Sequence, residues 1–190
     1  MTLEFLQAFI LGVSLAAACG FRVFVPPFIV SVAALLNWIP MADSFAWLDT
    51  PEAAIALGLA TIIEVIAYYI PWLDNLLDIL ATPVALVAGT IMLAAQLTEL
   101  DPVWTWSIAA IVGGGSAGIV QILTVLFRTL SSTLTGGLGN PFISTAEGFL
   151  SLASGVLAIV SPYIALILLL SIIFLIGNRV LNRRKLLRDQ

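Results

Sequence analysis

The sequence predicts an all-α membrane protein, a polytopic bundle of about seven hydrophobic helices, some of them short or re-entrant. Three observations carry that prediction. Of 190 residues, 61% are apolar and 9% charged, whereas ordinary soluble domains are about half apolar and about a quarter charged. The mean hydropathy is +1.14. The apolar residues fall into seven runs, at 3–19, 26–39, 52–70, 83–97, 104–127, 143–160 and 163–178, separated by Pro, Gly or short polar stretches that punctuate helices.

Composition also excludes several chemistries. Eleven acids against seven bases give a net charge of −4, and five of the bases lie in the last twelve residues (Arg179, Arg183, Arg184, Lys185 and Arg188), so no basic surface is left for nucleic acid. With no histidine and a single Cys19, the chain has no internal disulfide, no Cys/His zinc site, no haem histidine and no Ser-His-Asp triad. No cofactor is expected. Any chemistry falls to carboxylates, amides, hydroxyls, Arg or backbone.

The first run ends in Ala16-Ala17-Ala18-Cys19 and superficially resembles a secretory or lipoprotein signal. A signal peptide wants a positive n-region, but Glu4 is the only charge before the run, so 3–19 is read as a mature helix. Crossing ~30 Å of hydrocarbon takes about 20 residues, which makes 26–39 and 83–97 too short to span upright; they read as re-entrant or half-membrane helices. Between 52–70 and 83–97, Leu73, Leu76, Leu77 and Leu80 share one helical face and Asp74 and Asp78 the other, an amphipathic helix at the interface. Its acids either lie in water, collect cations at a pore mouth, or hold Mg²⁺ against a lipid diphosphate. The run 104–127 contains Gly114 and Gly118 at the spacing that lets helices approach closely, which suits internal packing or a homo-oligomer. Trp47, Trp72, Trp104 and Trp106 fall near the expected interfaces as belt residues. Residues 1–178 read as one transmembrane domain, followed by a basic cytoplasmic tail at 179–190.

Cytoplasmic segments near membrane ends are enriched in Lys and Arg, so the tail is placed inside. Counting back, 71–82 and 128–142 also fall inside, together with Arg128 and, if 3–19 and 26–39 form a hairpin, Arg22. The segments 40–51 and 98–103 fall outside. The plasma (inner) membrane is the expected location.

A three-fold helix-pair repeat is also suggested. Gln7, Glu64 and Gln121 stand 57 residues apart, and Pro26, Pro83 and Pro141 follow at 57 and then 58. Each unit would be an inward helix, a break, and a restart at proline. Transporters are often built from repeated helix pairs with the site where the units meet. Chance alignment in a low-diversity alphabet is the competing explanation.

Glu64 and Glu147 lie within apolar runs, and a charge at such depth costs at least ~2.5 kcal/mol, so it normally faces protein or water with a partner. Arg22 and Arg128 are the available cations. Four carboxylates (Glu64, Asp74, Asp78, Glu147) against two arginines leave two surplus negative charges, which suits a proton or cation better than an anion. Low dielectric favours the neutral carboxyl, which would fit Glu64 or Glu147 to carry a proton. The alternative is a pair of buried ion pairs that only fix helix register. The glycine-rich turn 135–141, with Gly136, Gly137 and Gly139, is either a connector or a binding break whose amides meet an anionic or carbonyl group; Asn140 and Ser144 are placed to cap the helix that follows.

Gly20-Phe21-Arg22 followed by Pro26, Ile70-Pro71-x-x-Asp74-x-x-x-Asp78, Pro83, and above all Ser132-Thr133-x-Thr135-Gly136-Gly137-Leu138-x-Asn140-Pro141-x-x-Ser144-x-x-Glu147 together resemble the prokaryotic membrane family catalogued as domain of unknown function 4126. The similarity runs from about Gly20 to about Leu170. Two positions depart from it: Val23 stands where Ala is expected, and Thr82 precedes Pro83 where a base is usual. The resemblance implies no established activity, but it points to the same polar set: Arg22, Glu64, Asp74, Asp78, Asn140 and Glu147.

The expected function is movement of a proton, cation or small solute through a polar cavity, with Arg22, Glu64, Asp74, Asp78, Gln121, Arg128, Asn140 and Glu147 along its path and the lipid bilayer as partner. Two alternatives stand beside it: a non-transporting membrane scaffold or assembly factor with structural ion pairs, and a Mg²⁺-dependent lipid-modifying enzyme using Asp74 and Asp78.

Overall fold

A computed structural model describes residues 3–188, apart from the side chains of residues 71, 72, 75, 176, 177 and 179–188. The described residues form eight α-helices, with no strand among them. They are α1 (Leu3–Cys19), α2 (Val25–Leu35), α3 (Pro51–Ala67), α4 (Pro71–Ala94), α5 (Pro102–Ile108), α6 (Gly115–Thr135), α7 (Asn140–Val160) and α8 (Pro162–Arg188). A π-helical segment, Ala109–Gly114, joins α5 to α6, so 102–135 forms one continuous helix of 34 residues. Counted that way, the hydrophobic helices number seven, as the sequence predicts.

Proline sets most of the helix starts, because its missing N–H is no loss in a first turn and its fixed φ suits the helix. Pro26, Pro51, Pro71, Pro102, Pro141 and Pro162 all stand in the first turn of a helix. Thr50 caps α3 by accepting from the Ala53 amide at 3.2 Å, and Asp101 caps α5 by accepting from Val103 at 2.9 Å. The segments Leu76–Ala94, Pro102–Thr135 and Asn140–Val160 are long and apolar enough to cross a membrane. By contrast α2 has 11 residues, about 16 Å at 1.5 Å per residue, and reaches roughly halfway. The tail bases belong to the end of α8, where the side chains lie outside the described residues.

The centre of the bundle is α1, whose second half, from Leu11 to Cys19, is largely buried against α4, α6, α7 and α8. Its approach to α6 depends on Gly20, where a Cβ would collide with the Ala117 carbonyl oxygen. A second close approach joins α4 to the π segment: a Cβ on Gly89 would stand 2.7 Å from the Gly113 carbonyl oxygen. Gly114 and Gly118 belong to the same contact, turned toward Leu86 and Thr90 of α4, so the small-residue stripe is used inside the chain.

Two expectations for α4 are overturned. Residues 83–97 are not a separate short helix, because α4 runs unbroken through Pro83. Pro83 has no N–H to give the Ile79 carbonyl, a loss that membrane helices tolerate where local groups compensate. The second helix pair therefore breaks at 68–70 and restarts at Pro71, not at Pro83. Three broken pairs do occur among the described residues, α1–α2, α3–α4 and α6–α7, but the 57-residue spacing does not mark all their restarts. The amphipathic segment is also turned the opposite way from a helix with its acids in water. Leu76 and Leu80 are exposed while Asp74 is buried, as expected where the surroundings are hydrocarbon.

Candidate functional site

The three breaks lie together, and their polar residues form one buried cluster. Helical spacing of three or four residues stacks side chains on one face, and each helix contributes through it. These sets are Glu64 and Tyr68 from the end of α3, Asp74 and Asp78 from the start of α4, Arg128 and Ser132 from α6, and Asn140, Ser144 and Glu147 from α7. Arg22 enters from the α1–α2 break.

Arg128 is the hub. Its Nε donates to Glu147 Oε1 at 3.1 Å, its Nη2 to Glu147 Oε2, and its Nη1 to Asp74 Oδ1. This two-pronged guanidinium–carboxylate pairing is the stronger kind of charge-assisted bond. Asp78 Oδ1 lies 3.5 Å from the same Nη1. The other oxygen of Asp74 accepts from Asn140 Nδ2 at 3.0 Å, and Asn140 also donates to Ser132 Oγ at 3.0 Å. Arg22 Nη2 donates to the carbonyl oxygen (2.9 Å) and hydroxyl of Ser144 and stands 3.6 Å from Glu147 Oε2. Both guanidinium groups lie over the Tyr68 ring, at 3.8 Å for Arg22 and 4.1 Å for Arg128, in cation–π range.

Glu64 stands apart. Its oxygens accept from the backbone amides of Val23 (2.7 Å) and Phe24 (3.0 Å) at the start of α2, and it makes no ion pair within 4.0 Å among the described residues. The carboxylate thus ties the end of α3 to the break before α2. Asp78 is the other partial exception, with its side chain 15% exposed where those of Asp74 and Arg128 are 1% and 3% exposed. On Arg22, which is 2% exposed, Nε and Nη1 have no hydrogen-bond partner among the described residues.

The two surplus negative charges have a local counterweight. The N-termini of α2, α4 and α7 converge here, and each helix start carries roughly half a positive charge. Glu64 takes up the α2 amides, Asp74 sits in the first turn of α4, and Glu147 lies two turns into α7.

Two apolar clefts reach the cluster from different sides. One, of about 350 Å³, is lined between α3 and α4 and ends at Glu64 and Tyr68. The other, of about 220 Å³, lies among α6, α7 and α8 and ends at Thr124 and Glu147. Neither is the polar cavity expected beside these carboxylates.

Most of the residues expected along the path meet in this cluster: Arg22, Glu64, Asp74, Asp78, Arg128, Asn140 and Glu147. Gln121 does not join it by a hydrogen bond; it is buried two turns before Arg128 on α6, its backbone beside Gly20. Asn140 and Ser144 do not cap α7, which has no side-chain cap; their side chains serve Asp74 and Arg22 instead. Within the turn 136–139, part of the backbone is bonded internally. The amides of Leu138, Asn140 and Gly139 donate to Thr135 O, Gly137 O and Thr135 Oγ1 respectively, while Gly136 and Gly137 supply the positive φ angles of 63° and 89° that end α6. Those amides are already spent inside the turn. Between Asp74 and Asp78, where a Mg²⁺ ion would sit, lies Arg128 Nη1, and no group of three or more potential metal ligands occurs among the described residues. Sequence reasoning missed Tyr68, whose signal was its i+4 spacing from Glu64, and the Val23 and Phe24 amides, which carry no side-chain signal.

A family model described as Domain of unknown function (DUF4126) matches residues 9–181. No curated protein and no solved structure matches the chain.

Proposed function

The chain belongs to the DUF4126 family, and from that premise we propose that it is a small membrane protein of the cytoplasmic (inner) membrane that moves a proton or monovalent cation, with Glu64 as the titrating group. The observation that carries this reading is the bonding of Glu64. Of the four clustered carboxylates it alone is held by backbone amides and not by a guanidinium. Its bonds to Val23 and Phe24 are charge-assisted, about twice as strong as neutral ones. Protonation or cation binding at Glu64 weakens them and frees the half-length helix α2 from α3. Such discontinuous helices, with their N-termini at a buried polar site, are the usual material of transporter sites. Asp78, at the exposed edge, passes the cation between water and the cluster, and Arg22 and Arg128 hold the remaining charges in place.

Purified protein in vesicles tests this. With an imposed membrane potential, an entrapped pH dye or a K⁺- or Na⁺-sensitive dye should report flux, and Glu64→Gln should abolish it while the variant still runs as a folded species on size exclusion. Flux in Glu64→Gln equal to that of the unaltered protein removes Glu64 from the path.

A second reading is favoured by Arg128, which joins Asp74 and Glu147 in one hydrogen-bonded network beside apolar clefts. On that reading the cluster locks three helix pairs together in a scaffold or assembly factor. It calls for absence of flux in the unaltered protein and loss of folding, with nothing else, when the cluster is altered.

A further inference from the structure

Helix α3 carries Glu64, yet it is thinly attached to the bundle. Two of its 17 residues, Glu64 and Ala67, are buried, whereas seven of the 11 residues of α2 are. Ile55, Leu59, Ile62, Ile63 and Ile66 are exposed, and the cleft of about 350 Å³ separates α3 from α4. In lipid such exposure carries no penalty, because hydrocarbon tails are as apolar as isoleucine; helices there are held by close packing and interhelical hydrogen bonds. For α3 these ties are few. Phe28 of α2 packs on Gly58, Tyr69 shares a hydrogen bond of 2.8 Å with Thr145, Tyr68 lies under the two guanidinium groups, and Glu64 accepts the Val23 and Phe24 amides. Of these hydrogen bonds, only those of Glu64 are charge-assisted.

The buried side-chain atoms left without a hydrogen-bond partner among the described residues are Arg22 Nε, Arg22 Nη1 and Thr61 Oγ1. All of them adjoin the Glu64 bonds. Arg22 directly precedes Val23, and Thr61 stands one turn before Glu64 on the same face of α3. Each is sealed from water as well, so a partner reaches it only when the packing around Glu64 shifts. Unpaired buried donors are costly, most of all on a charged group, and the Glu64 bonds hold α3 in place against that cost.

The charged groups nearby are engaged elsewhere. The helix α2 has no titratable residue, no ion pair joins Arg22 to Glu64 among the described residues, Arg22 stands by Glu147, and Asp74 and Asp78 of α4 are drawn to Arg128. The charge of Glu64 itself therefore sets the strength of the tie. We infer that α3 is a gate: with Glu64 charged it is latched to the start of α2, as here, and with Glu64 neutral it swings away and admits water to Arg22 and Thr61. This takes Glu64 as the responsive group, as the flux reading does, but it needs no flux.

Spin-label distances in the purified full chain in vesicles test it. Labels on Ile62→Cys and Phe149→Cys, both exposed positions, report α3 against α7, and labels on Leu130→Cys and Phe149→Cys report α6 against α7 as the fixed frame. In Glu64→Gln the first pair should show a second distance while the frame pair stays unchanged. Loss of one bond to a charged group implies a rise of about tenfold or more in the open form, and Thr61→Cys should react with a small water-soluble maleimide faster by that factor when Glu64→Gln is added. The inference is overturned if the first pair is unmoved in Glu64→Gln, if the frame pair shifts as much, or if Thr61→Cys reacts no faster. Flux that Glu64→Gln abolishes with α3 unmoved removes the gate and leaves the transport reading; movement of α3 without flux in the unaltered protein supports the gate and removes transport.

Discussion

At Arg128 two carboxylates share one guanidinium and a third lies 3.5 Å away, so its removal leaves Asp74 buried without a counter-charge and Glu147 with only Arg22, at 3.6 Å. Breaking one side of a buried pair typically costs about 3–5 kcal/mol. Arg128→Met should therefore destabilise the protein by roughly that amount, read as a lower unfolding midpoint in detergent. Arg128→Lys should recover only part of the loss, because an ammonium lacks the planar fork that engages Glu147 twice. Equal stability of Arg128→Met and the unaltered protein would show that the network holds nothing together. The buried acids and both arginines were legible in the sequence, since a charge within an apolar run is conspicuous. Their pairing was not, because Asp74 and Arg128 are 54 residues apart and only the packing of α4 on α6 brings them together.

Among the elements, the α4 contact with the π segment leaves little room. A side chain on Gly89 would meet the Gly113 backbone at 2.7 Å and Ala117 Cβ at 2.6 Å, and backbone cannot step aside as a flexible side chain can. Gly89→Val should cost about 1–3 kcal/mol or more by overpacking. Gly115→Ala, on the same long helix as Gly113, meets nothing within 4 Å and should stabilise by up to about 1 kcal/mol through helix propensity. Thermal or denaturant unfolding of the two variants in detergent checks the contrast, and similar shifts for both would refute the close approach. The glycine run was readable as a packing surface, but its partner was not, because spacing shows that helices approach closely without saying which ones.

For the whole molecule, the three breaks lie at one end of the bundle, while the loops after α2 and α4 meet at the other, where the Ala42 amide donates to the Ala95 carbonyl at 3.0 Å. By the charge rule, the break end is expected on the cytoplasmic side. Cys19 is buried, so single cysteines can be introduced with little background. In intact cells, Thr98→Cys should react with an impermeant maleimide, and Leu138→Cys, which is exposed in the turn before α7, should react only after the membrane is opened. The reverse pattern would invert the orientation and the direction in which the proposed path opens.

The sequence by itself determined that the fold is helical, how many apolar helices there are, where most of them start, and which ionisable residues lie at depth. These are local properties, set by hydropathy, by proline's missing N–H and by the cost of a charge among apolar neighbours. Tertiary structure alone decided that α4 runs through Pro83, that Asp74 turns inward while Leu76 and Leu80 turn out, that Arg128 fills the gap between two aspartates, and that Glu64 rests on the amides of α2. Those outcomes depend on which surfaces pack together and on backbone groups that every residue shares, and neither leaves a mark in the order of side chains.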